Sequence, residues 1–123
     1  MTGLTLDAGA LIAAERRDGR VRALLNRHWP GGVAVPAAVL AQVWRASPRQ
    51  HALGLLLLSP DLEVVALDDA EALDIGALCA RSGATDVVDV SVALCARRRG
   101  HAIVTSDPDD LLRIDPDLDL IAV

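Results

Sequence analysis

The chain has 123 residues, of which 52% are hydrophobic, and its formal net charge at pH 7 is −5. This length and hydrophobic content exclude a disordered chain and predict a single domain spanning residues 1–123. The core must be aliphatic, because the sequence contains no Phe or Tyr and only two Trp residues.

Short hydrophobic runs alternate with helical patterns along almost the whole chain. We predict strands over residues 4–7, 33–35, 62–67, 101–105 and 118–123. We predict helices over residues 8–16, 19–28, 36–44, 47–59, 68–82, 86–99 and 107–114. This alternation predicts an α/β fold with three layers, in which helices flank a mostly parallel sheet.

The cysteines and the hydrophobic segments indicate the compartment. Cys79 and Cys95 lie in helical patterns without metal-binding or disulfide spacing, so we expect buried thiols. The longest apolar stretch, residues 52–58, is too short to span a bilayer. No signal peptide precedes the first strand, and we therefore expect a cytoplasmic protein that does not associate with membranes.

Aspartates stand where two predicted strands end and where one predicted helix begins. Asp7 follows the first strand, Asp107 follows the fourth, and Asp86 and Asp89 lie one turn apart at the start of a helix. In a parallel sheet, ligands bind beyond the carboxyl ends of the strands, so these carboxylates should converge. Converging carboxylates suit a hard divalent cation. Each aspartate taken alone is equally well explained as a helix cap.

Four segments carry a resemblance to a known family: Asp-Ala-Gly-Ala-Leu-Ile (7–12), Val-Pro-Ala-Ala-Val-Leu-Ala-Gln-Val-Trp-Arg (35–45), Asp-Val-Val-Asp-Val-Ser-Val-Ala-Leu (86–94) and Ile-Val-Thr-Ser-Asp (103–107). They resemble the four motifs of PIN-domain ribonucleases, and most closely those of VapC-type toxins from toxin–antitoxin pairs. The resemblance implies a five-stranded parallel sheet and an endoribonuclease that depends on Mg²⁺ or Mn²⁺.

The resemblance also implies roles for individual side chains. Asp7, Asp89 and Asp107 match the acids that hold the metal, and Asp86 matches a further acid found in part of the family. Thr105 matches a hydroxyl that supports the site. We therefore expect the four aspartates to be metal ligands and all five residues to belong to the catalytic site.

Two positions depart from the family pattern. Gln42 stands where the second motif normally carries a glutamate, and Gly9 stands where many relatives carry a polar residue. We keep Gln42 among the candidate catalytic residues, because its amide oxygen can still ligate a cation, directly or through water, although it brings no charge. Asp86 or Glu15 could supply the missing charge, but Glu15 lies two helical turns after Asp7.

Arginine supplies all 12 basic residues and is concentrated in the first half of the chain. Residues 1–60 carry seven arginines and three acids, whereas residues 61–123 carry five arginines and fourteen acids. An arginine-rich half beside a metal-neutralised acidic site can bind nucleic acid even though the whole protein is acidic. We expect contacts to the RNA backbone from Arg45, Arg16 and Arg97. An ordinary solvated surface explains any one of them equally well.

The resemblance also implies protein partners. Toxins of this kind pair with a small antitoxin whose C-terminal segment covers the active site, and they usually form homodimers. The aliphatic helices around residues 21–25 and 39–58 are the expected docking surfaces, although their periodicity is equally typical of faces that pack into the core.

Three other classes of protein share features with this sequence. A phosphoacceptor receiver domain needs an acidic pair after the first strand and a lysine after the last, and this sequence has neither. A haloacid-type phosphatase needs a second aspartate where Gly9 stands. A PIN-fold protein that binds RNA or an antitoxin without efficient cleavage remains an open alternative, because Gln42 replaces the usual acid.

Overall fold

The computed structural model describes residues 2–123. Within them, five strands are present: β1 (Leu4–Leu6), β2 (Val33–Pro36), β3 (Leu62–Val65), β4 (Ala102–Thr105) and β5 (Leu120–Ala122). The α-helices are α1 (Ala8–Glu15), α2 (Gly19–His28), α3 (Ala37–Val43), α4 (His51–Leu57), α5 (Asp69–Ser82), α6 (Val87–Arg99) and α7 (Pro108–Ile114). Short 3-10 turns cover Trp29–Gly31 and Pro48–Gln50.

All five strands belong to one parallel sheet with the order β3-β2-β1-β4-β5. The predicted α/β fold with a five-stranded parallel sheet is therefore confirmed. The chain runs outward from β1 to β3 and then returns to β4 on the other side of β1, where Leu6 is in register with Val104. The strand order reverses between β1 and β4, and in sheets of this kind ligands bind beyond the carboxyl ends of the strands at such a switch point.

The burial of helix α6 fixes the position of its N-terminus. All residues from Val90 to Ala96 are buried, and the helix contacts β1, β2 and β4. Strands β1, β2 and β4 are also buried along their whole length. Because the core is aliphatic and packed on all sides of α6, the first turn of this helix has little freedom to move relative to the sheet.

Several element boundaries differ from the predicted ones. Strand β3 ends at Val65 instead of residue 67, and β5 covers only Leu120–Ala122, because each is an edge strand with a single neighbour. The predicted helix over residues 47–59 is a 3-10 turn followed by α4, with Ser47 accepting the N–H of Arg49 as its cap. None of the helices in residues 2–123 has the length and hydrophobicity needed to cross a membrane.

Candidate metal centre

Asp7 directly follows β1 and is the N-cap residue of α1. Its Oδ1 atom accepts the N–H of Ala10 at 2.8 Å, and only 8% of the residue is exposed. Its own N–H donates to the carbonyl of Val104 at 3.2 Å, which ties it to the neighbouring strand β4. The predicted cap is therefore observed, and Oδ2 takes no part in it.

Asp86 and Asp89 share the first turn of α6 but do different things. Asp86 is the N-cap, since its Oδ1 accepts the N–H groups of Val88 at 2.9 Å and of Asp89 at 3.2 Å. The Asp89 carboxyl makes no cap bond, and it is half-buried on the third residue of the helix. Asp86 thus sets the helix start that presents the Asp89 side chain.

The pKa of Asp89 is raised to about 6, chiefly by burial and then by the nearby carboxylates of Asp86, Asp110, Asp107 and Asp7. A helix N-terminus favours the ionised form of a carboxyl group, so the raised pKa means that burial and repulsion outweigh the helix dipole here. The first half of the chain and the second half thus contribute acids to a single concentration of negative charge around Asp89.

Asp107 is held by its backbone and not by its side chain. Its N–H donates at 2.8 Å to Oγ1 of Thr105, which is fully buried at the end of β4. The carboxyl makes no cap bond to α7, contrary to the cap expected from Asp107 and Pro108. A hydrogen bond between the carboxyl groups of Asp107 and Asp110 raises the pKa of Asp107 instead.

Sequence reasoning missed Asp110. This residue lies with Asp86 and Asp89 in the lining of a cavity of about 350 Å³, and it accepts a hydrogen bond from Arg113 at 2.9 Å. The signal was present in the sequence, because Asp110 follows Asp107 by three residues and so shares its face at the start of a helix. The structure therefore adds a fifth aspartate to the four predicted ones.

Ser106 was missed as well. A Cβ atom built on Gly9 would overlap the Ser106 Oγ atom and would lie 3.5 Å from Asp7 Oδ1. The Ser106 hydroxyl thus occupies the space beside Asp7 that a side chain at position 9 would fill. This relationship between positions 9 and 106 arises because α1 lies beside the end of β4, and the sequence alone gives no signal for it.

Gln42 lies outside the acidic cavity. It is exposed on α3 and lines a separate cavity of about 600 Å³ together with Glu15, Arg16 and Arg45. Within residues 2–123, no hydrogen bond joins Gln42 to the aspartates. The structure therefore gives no support to the predicted contribution of Gln42 to the metal site.

Arg97 is not brought to the crevice. It lies in the last turn of α6, at the end opposite Asp89, and its Nε atom is 3.4 Å from Asp115 Oδ2. The 1.5 Å rise per helical residue separates Arg97 from Asp89 by about 12 Å. The expected contact between Arg97 and the substrate is therefore not supported, because this arginine pairs with an acid at the far end of the sheet.

The donor set suits a hard cation. Within residues 2–123, no three Asp, Glu, His or Cys side chains lie close enough to enclose a metal ion by themselves. Mg²⁺ commonly binds through one or two carboxylates and keeps several waters, so it does not require such a cage. The oxygen ligands and the uncompensated charge around Asp89 fit an ion of this kind.

A parallel α/β sheet with an acidic crevice at its switch point defines the structural class of this protein. The chain belongs to the PIN-domain family, because the family model described as "PIN domain" matches residues 4–115. PIN domains are a family of nucleases. The predicted family is thus confirmed, and it covers nearly the whole chain.

Two solved structures have the same fold. A chain of VapBC2 from Rickettsia felis, bound to a DNA fragment from its promoter, is 17% identical with a TM-score of 0.71, and 97% of each chain is covered. A chain of FitAB bound to the IR36 DNA fragment is 16% identical with a TM-score of 0.66, and the match covers 97% of this chain and 94% of that one. No curated protein matches this sequence.

Proposed function

We propose that this protein is a metal-dependent endoribonuclease that hydrolyses RNA phosphodiester bonds, and that it is the toxin of a type II toxin–antitoxin pair acting in the cytoplasm. The single observation that carries the proposal is the concentration of carboxylates around the half-buried Asp89 at the switch point of a PIN fold, where burial and the neighbouring charges raise its pKa to about 6. Such an arrangement is unfavourable without a counter-charge, and a divalent cation supplies one.

The aspartates have two different proposed roles in binding the ion. Asp7, Asp89 and Asp107 are the proposed ligands, while Asp86 and Asp110 act directly or through water. A bound Mg²⁺ or Mn²⁺ would polarise the scissile phosphate and lower the pKa of the attacking water. The chain's own part is to fix these carboxylates on elements anchored in the core.

Two supporting residues position the ligands. The buried Thr105 hydroxyl holds the backbone of Asp107, and Asp86 fixes the helix start that carries Asp89. The Ser106 hydroxyl, which lies beside Asp7 where residue 9 has no side chain, is available to hold a water of the metal shell. We propose Thr105 as a positioning residue on these grounds.

An antitoxin has a candidate docking surface. A cavity of about 600 Å³ between α1, α2 and α4 is lined mainly by aliphatic side chains and Trp29, with Arg17 and Arg22 at its margin. The two helical regions that the sequence offered as docking surfaces contribute Arg22, Leu25, Ala52, Leu55 and Leu56 to this lining.

A homodimer is also proposed. Leu67, Leu73 and Val64 are exposed around the edge strand β3 and the first turns of α5, with Leu73 75% exposed. Exposed aliphatic side chains beside a sheet edge are typical of an interface between protein chains.

The second candidate is a PIN-fold protein that binds RNA or an antitoxin without efficient cleavage. It is motivated by Gln42, which brings no charge, and by the lack of a preformed three-ligand group in residues 2–123. The position of Gln42 in a cavity separate from Asp86, Asp89 and Asp110 favours the nuclease, because those acids are retained.

Cleavage of RNA by the purified, antitoxin-free protein tests the proposal. We expect cuts in Mn²⁺ or Mg²⁺ that leave 5′-phosphate and 3′-hydroxyl ends, none in EDTA, and a loss of at least about 100-fold in Asp89→Asn. Asp117→Asn, the same change at an exposed loop position, is the matched control and should remain active. Activity in EDTA or an active Asp89→Asn variant contradicts the mechanism. A silent wild type with an active Gln42→Glu variant supports the second candidate.

A further inference from the structure

The arginines in the two halves of the chain have different surroundings. Four of the five in residues 61–123 form ion pairs: Arg97 with Asp115, Arg98 with Glu71 and Asp74, Arg99 with Glu63, and Arg113 with Asp110. None of the seven arginines in residues 1–60 has a carboxylate within salt-bridge distance in the part of the chain that the structure describes. The uneven charge along the sequence therefore becomes an uncompensated basic surface in the fold.

Three of these unpaired arginines meet at one place. Arg16, Arg45 and Arg49 line the cavity of about 600 Å³ that lies between the end of α1 and the connection from α3 to α4. Glu15 is the only acid in its lining, so the cavity carries a net positive charge in a protein whose net charge is −5. The neutral side chain of Gln42 forms part of the same wall.

The wall of this basic cavity is held rigidly. The Gln50 side chain is buried, and it accepts the N–H of Arg45 at 2.8 Å and donates to the carbonyl of Val43 at 2.8 Å. Ala46 has a φ of +54°, a backbone conformation that residues other than glycine seldom adopt. Such a conformation persists where the surrounding structure enforces it.

The guanidinium of Arg45 is itself fixed in this wall. Its Nη1 atom donates to the carbonyls of Ala41 at 3.0 Å and Trp44 at 2.7 Å. Nε and Nη2 take no part in these bonds, so they stay available to a ligand. A guanidinium fixed in advance loses less entropy when it binds an anion.

We propose that this cavity binds a backbone phosphate of the RNA substrate on one side of the scissile bond, and that the neutrality of Gln42 keeps the cavity positive. The proposal rests on the nuclease function proposed above. Guanidinium groups bind phosphate through paired hydrogen bonds. The cavity has three of these groups and a single carboxylate, so two positive charges are left for a phosphate. A glutamate at position 42 would place a negative charge among these arginines and would compete with the phosphate.

Helix α1 connects this cavity with the acidic crevice. It starts after Asp7 and ends at Glu15, just before Arg16, so the two sites are about 12 Å apart along the helix axis. A single RNA strand can span this distance with a few nucleotides. The same strand can therefore contact both sites, which would set the register of the cut.

Binding of a labelled single-stranded RNA oligonucleotide in EDTA tests the cavity without cleavage. We expect Arg16→Ala and Arg49→Ala each to weaken binding about fivefold at low salt and to reduce the slope of log K against log [salt] by about 0.7. Arg27→Ala is the matched control, because it removes the same charge from an exposed position on α2 outside this cavity. It should change the affinity less than about twofold.

Gln42→Glu provides the second test. It should weaken RNA binding severalfold at low salt, and the loss should shrink at high salt. Unchanged affinity in Arg16→Ala, Arg49→Ala and Gln42→Glu, or a wild type that does not bind RNA in EDTA, overturns the proposal. RNA binding that depends on these residues without any cleavage in Mn²⁺ would refute the nuclease function alone, so the two failures are distinguishable.

Discussion

The backbone N–H of Asp107 donates a 2.8 Å hydrogen bond to the hydroxyl of Thr105, which is fully buried at the end of β4. This bond turns the chain as it leaves the sheet and holds Asp107 beside the crevice. It is a link between a core residue and a proposed ligand, and it makes the position of Asp107 dependent on a side chain that cannot itself reach solvent.

Replacement of Thr105 by valine keeps the shape of the side chain but removes the hydrogen-bond acceptor. We expect a loss of about 1 kcal/mol in the free energy of unfolding and a loss of about tenfold or more in the cleavage rate. Thr105→Ser should restore most of both, since it returns the hydroxyl. Chemical denaturation and single-turnover cleavage measure the two effects. Full activity in Thr105→Val would show that Asp107 does not depend on this bond.

The metal-free protein should become more stable when Asp89 is replaced by asparagine. The pKa of Asp89 is about 6 in the folded state against an ordinary value of 3.8, so the folded state ionises this group less readily than the unfolded chain does. The folded state is therefore progressively destabilised as the pH rises from about 4 to 6, and the full cost persists at neutral pH.

Partial exposure of Asp89 reduces that cost to roughly 1 kcal/mol, which corresponds to a few degrees in the melting temperature. We expect Asp89→Asn to raise the melting temperature in EDTA at pH 7.5 by this amount, with the difference vanishing near pH 4. Asp117→Asn serves as the control. A lower melting temperature for Asp89→Asn at pH 7.5 would show that the Asp89 carboxylate is stabilised in the absence of metal.

A divalent cation should stabilise the wild type in a pH-dependent manner. Because metal binding requires ionised carboxylates, we expect Mn²⁺ to raise the melting temperature at pH 7.5 and to lose this effect as the pH falls below about 6, where Asp89 becomes protonated. Differential scanning fluorimetry across this pH range measures the effect. The same stabilisation at pH 5 would place the bound ion somewhere other than Asp89.

Gly9 and Ser106 should be coupled. Gly9→Ser introduces a Cβ atom into the space of the Ser106 hydroxyl, and we expect a loss of about 1–3 kcal/mol in the free energy of unfolding. Ser106→Gly should remove the overlap, so the double variant Gly9→Ser/Ser106→Gly should be more stable than Gly9→Ser alone. A double-mutant cycle measures this coupling, and strict additivity would mean that the two side chains do not compete for the same space.

Much of the fold was predictable from local signals. Alternation of hydrophobic runs with helical patterns predicted all five strands, and the cap chemistry of Asp7 and Asp86 marked the starts of α1 and α6. The same signals placed Asp7 and Asp107 directly after two strands, and parallel strands present their carboxyl ends to one edge of the sheet.

The remaining features depend on which elements face each other in three dimensions. Helical periodicity places Gln42 and Arg45 on α3 but does not reveal that their neighbours are Glu15 and Arg16 of α1. Likewise, the run of arginines at the end of α6 gives no sign that Arg97 pairs with Asp115. The Ser106 hydroxyl fills the space that a side chain at position 9 would occupy. The two residues are 97 positions apart, and no pattern within one segment encodes this relationship.

The most direct measurement is a crystal structure of the protein grown with Mn²⁺, with anomalous differences recorded at the manganese absorption edge. We predict one anomalous peak in the acidic crevice, with oxygen atoms of Asp89 and of Asp7 or Asp107 about 2.1 Å away and waters filling the remaining positions. Asp89→Asn crystals treated in the same way should show no peak there. A well-bound ion at a different place, or an empty crevice in the presence of saturating Mn²⁺, would contradict the assignment of these aspartates as metal ligands.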